Sequence, residues 1–162
     1  MDKTKQDVPF FEDEDSKRHP GFPVVERATV NVILWDPKTN NVVCLHWEKF
    51  GWKTFIIGGI ETGESHEETA IREIAEETGY IDVEFVAELG QHQSAYFAAH
   101  KGENRIANTT GLLFKLVSTR QKKIDSASLP HIFKWVPRQE VASFLTLSSQ
   151  KYLWGKAQPY LR

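Results

Sequence analysis

Gly58-Gly59-Ile60-Glu61-Thr62-Gly63-Glu64-Ser65-His66-Glu67-Glu68-Thr69-Ala70-Ile71-Arg72-Glu73-Ile74-Ala75-Glu76-Glu77-Thr78-Gly79-Tyr80 joins a glycine-rich loop to a helix whose two ends are both marked. Ser65 suits the N-cap, and Glu68, three residues on, completes a capping box. Gly79 suits the left-handed residue that closes a helix. These signals bracket about four helical turns. At about 100° per residue, Ile71, Ile74, Ala75 and Thr78 share a broad face suited to packing on a sheet. Glu73, Glu76 and Glu77 share a neighbouring face, and Arg72 stands four residues before Glu76, within pairing reach.

The charge order is unfavourable for a helix that has only to be stable. Three carboxylates on one face repel, by a few tenths of a kcal/mol for each adjacent pair. Glu76 and Glu77 also occupy the last turn, where the macrodipole is negative and cations are preferred. A solvated acidic face is one reading. The other is a divalent cation, which relieves both penalties at once; oxygen ligands select hard ions, so Mg²⁺ or Mn²⁺ is favoured over Zn²⁺. In the preceding loop, Gly58, Gly59 and Gly63 allow sharp turns and close backbone approach, so the loop is either a plain tight turn or a phosphate cradle.

On the N-terminal side of this segment the pattern is extended. Over residues 24–35, Val30, Val32 and Leu34 alternate with Thr29, Asn31 and Ile33, a strand with a partly apolar second face. Asp36-Pro37-Lys38-Thr39-Asn40-Asn41 is dense in turn formers, so residues 42–47 are expected to return as a hairpin. Residues 53–57 run extended into Gly58. On the C-terminal side, strands are expected at 83–89, 109–117 and 132–136, and helices at 140–145 and 148–154, with Pro137 at a helix start. Strands mixed with a few helices give an α/β or α+β sandwich. Residues 1–23 carry Glu12-Asp13-Glu14-Asp15 and then Pro20 and Pro23, and read as a flexible acidic tail; deletion of residues 1–20 is expected to leave the fold intact. Phe10, Phe11 and Phe22 are the residues by which part of it docks. The domain is expected over 24–162.

Composition narrows the function. A chain of 162 residues fits one domain. Twenty basic against 22 acidic residues exclude a strongly basic nucleic-acid binder, although a local basic groove remains open. Cys44 is the one cysteine, so neither an internal disulfide nor a cysteine-rich zinc site is available; within Val42-Val43-Cys44-Leu45 it reads as a buried structural thiol. No run approaches the ~18 apolar residues of a membrane span, and no apolar stretch follows Met1 as in a secretory signal. A soluble, cytoplasmic chain is expected.

Gly58, five residues, Glu64, seven residues, then Arg72-Glu73-Ile74-Ala75-Glu76-Glu77-Thr78-Gly79, resembles the Nudix box, which covers 23 residues here. The order of flanking strands and helices is similar to a Nudix domain over about residues 24–156. The resemblance implies an α/β/α sandwich around a mixed sheet. It also implies metal-dependent hydrolysis of a nucleoside diphosphate linked to another group. On this likeness Glu76 and Glu77 match the main metal ligands, and Glu73 matches a ligand or general base. Arg72 matches the arginine that orients the glutamates, Glu64 a supporting position, and the carbonyl of Ile57 a frequent metal contact; Gly58 and Glu64 open the box, with Gly59 beside the phosphates.

Two departures stand out. Tyr80 occupies a position that is usually aliphatic in the family. Many members also supply another carboxylate a few residues before a tryptophan resembling Trp135, but here the chain reads His131-Ile132-Phe133-Lys134. Either Glu73 performs the proton transfer, or Glu103 reaches the site from another loop.

Residues 91–110 are polar for a segment between strands. Tyr96 lies near where dinucleoside polyphosphate hydrolases of the family place a base-stacking tyrosine, and a sheet-face tyrosine is the plainer reading. Lys101 and Arg105 are candidates for phosphates or solvated loop cations. His92, His100 and His131 are each ligands, acid–base groups or packing residues. Gly51-Trp52-Lys53-Thr54-Phe55, Tyr96-Phe97-Ala98-Ala99-His100-Lys101 and Glu103-Asn104-Arg105 look like the Nudix domains appended to some bacterial leucyl-tRNA synthetases. So does Phe144-Leu145 through Tyr152-Leu153-Trp154. The expected function is a pyrophosphohydrolase on a small nucleotide-derived substrate. Its rival is a non-catalytic module that senses a nucleotide or associates with a tRNA or synthetase.

Overall fold

The computed structural model describes residues 8–162. The strands are β1 (Phe10–Phe11), β2 (Val24–Asp36), β3 (Asn41–Trp47), β4 (Trp52–Thr54), β5 (Ile56–Gly59), β6 (Val83–Ala98), β7 (Glu103–Leu116) and β8 (Ile132–Pro137). The α-helices are α1 (His66–Thr78), α2 (Arg138–Phe144) and α3 (Ser148–Ala157). The sheet runs β1-β6-β7-β2-β3-β4, with β5 on β2 and β8 on β3. β1·β6 and β2·β7 are parallel and the other pairs antiparallel, so the sheet is mixed.

The period-2 alternation of β2 divides the core. Val30, Val32 and Leu34 face α1, where they pack with Ala70, Ile74 and Phe114. Ile33 and Trp35 face α2 and α3, with Val141, Leu145 and Leu153. Apolar side chains thus leave both faces of one strand into two helical layers, and the α/β/α sandwich follows. Cys44 is fully buried in the second cluster, and burial pushes its thiol up to about 12, which keeps it protonated and unreactive.

Three expectations change. The hairpin between β2 and β3 closes over only Trp35↔Val42 and Asp36↔Asn41. Beyond that turn β3 pairs with β8 over Asn41–His46, while β5 takes the edge of β2 at Thr29–Val32. This divergence lets the glycine loop run beside β2. Next, residues 91–110 are no loop. β6 continues to Ala98 and pairs with β7 from Val83↔Leu116 to Ala98↔Glu103. Their polar side chains sit on a sheet surface that lines a cleft, which hid the strands from a hydrophobic pattern. Finally, residues 8–23, set apart as a flexible tail, lie on the domain. Phe10 and Phe11 pair with Gln93 and Ser94, Phe11 packs 5.2 Å from Tyr152, and His19 stacks 3.8 Å over Phe97. Asn104 accepts from His19 N and donates to His19 O, both at 2.8 Å. Phe11 and Phe22 dock as expected, whereas Phe10 is half exposed. Residues 1–7 of the expected tail lie outside the described residues. No helix among those described is long and apolar enough to cross a membrane.

Candidate active site

Both helix signals act as read. Glu68 N donates to Ser65 Oγ at 3.1 Å and Ser65 N to Glu68 Oε1 at 3.4 Å, while Gly79 takes φ 83° and donates to Ala75 O. A Cβ at Gly79 would meet Lys122 O at 2.5 Å, so the cap is also a point of close backbone approach. The buried face of α1 is rotated from the expected one. Ile71 is 45% exposed, while Glu73 and Glu77 are buried beside Ala70 and Ile74. Two of the three glutamates thus face the sheet, away from the solvent that a purely acidic surface would seek.

Arg72 joins the glycine loop to this face. Its Nε and Nη2 grip Glu64 at 2.7 and 2.8 Å, Nη2 also donates to Gly59 O at 3.0 Å, and Nη1 donates to Glu73 Oε1 at 2.9 Å. The expected pair with Glu76 is present but longer, at 3.3 Å. Glu64 accepts further hydrogen bonds from Glu61 N and Thr69 Oγ1. Arg72, above all, holds the Glu64 carboxyl down at about 2. Glu73 behaves oppositely: burial first, then the negative charges of Glu76 and Glu77, raise it to about 7 despite Arg72. Its carboxyl lies directly against Gly58, where any Cβ would collide with it.

Glu77 Oε2 stands 2.8 Å from His131 Nε2, yet it is buried with no aligned hydrogen-bond donor. Glu76 is half exposed, with its side chain at 51%. Among the described residues, no three His, Cys, Asp or Glu side chains converge into a preformed metal cluster. An orphaned carboxylate oxygen, a second buried glutamate and a glycine with room only for a bare backbone together fit a divalent cation at this helix face. Ile57, half-buried on β5 opposite Asn31, lines the adjoining cleft.

That cleft encloses about 110 Å³ and is bordered by Trp47, Trp52, Tyr96, His92 and, from the N-terminal segment, Phe11 and Asp13. A second recess shares Trp47, Trp52 and Tyr96 and reaches Gly58, Gly59 and Arg105. Tyr96 meets Trp52 edge to face at 5.8 Å, and it pairs across the sheet with Arg105. Arg105 donates through Nε to Glu103 at 2.9 Å, so neither side chain is free of the other. The Glu103 carboxylate is therefore spent on Arg105, away from the glutamates of α1. Sequence reasoning passed over Arg27, whose guanidinium lies beside Gly59, 2.8 Å from where a Cβ would stand. It also passed over the buried polar floor: Asn31, held by Gln150 at 2.7 Å, and the Thr29–Thr109 hydroxyl pair at 2.9 Å. The available signal was the alternation of Thr29 and Asn31 with valines in β2. Tyr80 is buried and its hydroxyl accepts from Trp135 Nε1 at 3.0 Å, which explains an aromatic residue there.

The NUDIX domain family model matches residues 25–155. The chain belongs to the Nudix family. No curated protein sequence matches. Among solved structures it is similar to the C. elegans Ap4A hydrolase, at 16% identity and TM-score 0.61, covering 85% of this chain and 100% of that one. The E. coli dihydroneopterin triphosphate pyrophosphohydrolase follows at 17% and 0.59, covering 85% and 98%. The NUDIX domain of Shewanella oneidensis NrtR, complexed with ADP ribose, is 19% identical with TM-score 0.58, covering 85% and 90%. At these identities the likeness shows the fold alone.

Proposed function

We propose that the protein is a divalent-cation-dependent pyrophosphohydrolase that cleaves a nucleoside diphosphate linked to another moiety, by attack of water on phosphorus. The observation that carries this is the burial of Glu73 and Glu77 on the α1 face beside Gly58, with Glu77 Oε2 left without a donor. Glu76, Glu77 and the Ile57 carbonyl would hold Mg²⁺ or Mn²⁺, with Glu73 either a further ligand or the general base. When bound, the cation supplies charge neutralisation at the bridging oxygens and makes water more acidic.

The chain's own groups do the rest. Gly58 and Gly59 let the Glu73 carboxyl and the Arg27 guanidinium come up against the backbone, and Arg27 would offer a cation to a pyrophosphate there. Arg72, fixed by Glu64, orients Glu73. Glu73, raised to about 7, is suited to take a proton from the attacking water near neutral pH. Trp47, Trp52 and Tyr96 offer stacking surfaces for a planar base, and Arg105 lines the same recess. The Ap4A, dihydroneopterin triphosphate and ADP ribose named for the similar structures all join a heterocycle to a phosphate chain, which supports this class of substrate.

A second reading, a nucleotide-sensing or tRNA/synthetase-associated binding module, is favoured by the commitment of Glu73 to Arg72 and by the absence of an acid at His131–Lys134. The likeness to synthetase-appended domains supports the same alternative. A panel of ADP-ribose, dinucleoside polyphosphates, nucleoside triphosphates, nucleotide sugars and capped RNA, assayed with Mg²⁺ and with Mn²⁺, decides between them. Turnover of one class establishes the hydrolase and its leaving group; binding of a panel member with no turnover establishes the module.

A further inference from the structure

Charge divides the space around the aromatic residues into two compartments. The recess that reaches Gly58 and Gly59 carries Arg27 and Arg105. The adjoining cleft shares Trp47, Trp52 and Tyr96 with it, but among the described residues no lysine or arginine lines it, and Asp13 is its one carboxylate. Burial lowers His92 to about 4, so its ring adds no positive charge near neutral pH. Phosphates are favoured on the arginine side, and an uncharged group that donates hydrogen bonds is favoured beside Asp13.

The polar floor of the cleft is mostly spent on the protein. Gln150 Nε2 donates to Asn31 Oδ1 at 2.7 Å, Asn31 Nδ2 to Ile56 O at 3.0 Å, and Phe55 N to Gln150 Oε1 at 3.0 Å. The hydroxyls of Thr29 and Thr109 bond each other. Two groups keep unspent capacity. His92 is 2% exposed and lines the cleft without a hydrogen-bond partner among the described residues, a condition rare for a buried polar side chain. Asp13 Oδ2 accepts from Ser148 N at 3.2 Å, at the N-terminus of α3, where the macrodipole favours its charge. Its Oδ1 meets no donor among the described residues. Phe11, two residues earlier, pairs with Ser94 and packs 5.9 Å from His92, so β1 fixes the segment that carries Asp13 over the cleft.

We propose that Asp13 and His92 form the head-group site of the substrate and select a planar heterocycle bearing an exocyclic amino group. Asp13 Oδ1 accepts an amino N–H, and the His92 ring bonds a second polar atom of the heterocycle. The inference rests on the hydrolase reading above, which lays the phosphates beside Gly58 and Gly59, and deepens it by naming the head group. A heterocycle with a carbonyl in place of the amino group turns a lone pair toward the carboxylate and is repelled, so the choice has an attractive and a repulsive part.

The test is calorimetric titration of the full chain with two pairs of nucleotides that each differ by one amino group: AMP against purine riboside 5′-monophosphate, and GMP against IMP. A hydrogen bond to a charged acceptor supports a preference of at least about tenfold, expected for the amino-bearing member of at least one pair. In Asp13→Asn the single amide oxygen is taken by Ser148 N, and the preference should fall to about threefold or less. Asp15→Asn, which removes the same charge from an exposed position outside the cleft, should keep it. In His92→Phe the favoured nucleotide should bind about fivefold or more weakly. Equal affinity within both pairs, binding of none of the four, a preference that survives Asp13→Asn, or unchanged affinity in His92→Phe overturns the assignment. Hydrolysis of diphosphate-linked substrates without the preference leaves the hydrolase reading standing and removes this one. The preference without any hydrolysis does the reverse. Should Asp13→Asn fail to fold, the wild-type pairs still decide.

Discussion

Glu64 and Arg72 form a two-pronged ion pair, at 2.7 and 2.8 Å, that titrates at an accessible pH. The folded carboxyl sits at about 2 because Arg72 grips it, below the ordinary value of 4.5. A depressed carboxyl stabilises the fold fully above the unfolded value, and that contribution fades as pH falls toward 2. Glu64→Gln should therefore melt below wild type at pH 7, with the gap closing between pH 4.5 and 2; parallel melting curves across that range would contradict the pairing. His92 works in the same direction for another reason. Burial lowers it to about 4 from 6.5, so the unfolded chain takes up a proton that the folded chain refuses. Stability should decline as pH drops from 6.5 to 4, by roughly 3 kcal/mol. His92→Gln should flatten that decline in melting experiments at fixed ionic strength.

At the scale of elements, α1 was largely legible because its determinants are local. Ser65, Glu68 and Gly79 act within one turn of each helix end, and each does what its type allows. Which side of the helix is buried was not legible. It depends on where β2 and β5 lie, and they bury Glu73 and Glu77 while leaving Ile71 exposed. A helical wheel ranks hydrophobicity, and it cannot rank the value of a buried acid. The β6–β7 ladder was half legible for a related reason: Gln91, Gln93 and Asn108 face a cleft, and polar strands carry no alternation. Gly79→Ala tests the cap. The left-handed conformation costs about 1–2 kcal/mol for a residue with a Cβ, and Lys122 O adds a clash. Scanning calorimetry should show a fall of roughly 4–8 °C; an unchanged transition would mean that the cap relaxes freely.

Over the whole molecule, the aromatic cleft lies where the N-terminal segment, the β6–β7 ladder and the β3–β4 turn meet. Its walls come from residues as distant in sequence as Phe11, Trp52, Tyr96 and Gln150. No local pattern could have assembled them, and although Phe11 reads as a docking residue, the charged, proline-containing segment hid the stacking of His19. Removing residues 1–23 should consequently lower the melting temperature by roughly 5 °C or more and open one side of the cleft. A truncated chain that melts with the full one would show this docking to be energetically empty. If Phe11 and Asp13 border the bound base, truncation should raise KM more than it lowers kcat.

The central claim is that Glu77 belongs to the chemistry rather than to the fold. It is tested by the steady-state rate of nucleotide release from the preferred substrate, with divalent cation in excess, in wild type and Glu77→Gln side by side. The expected result is a loss of at least about a hundredfold in kcat, with a melting temperature within about 3 °C of wild type. Comparable turnover in the two proteins would contradict it.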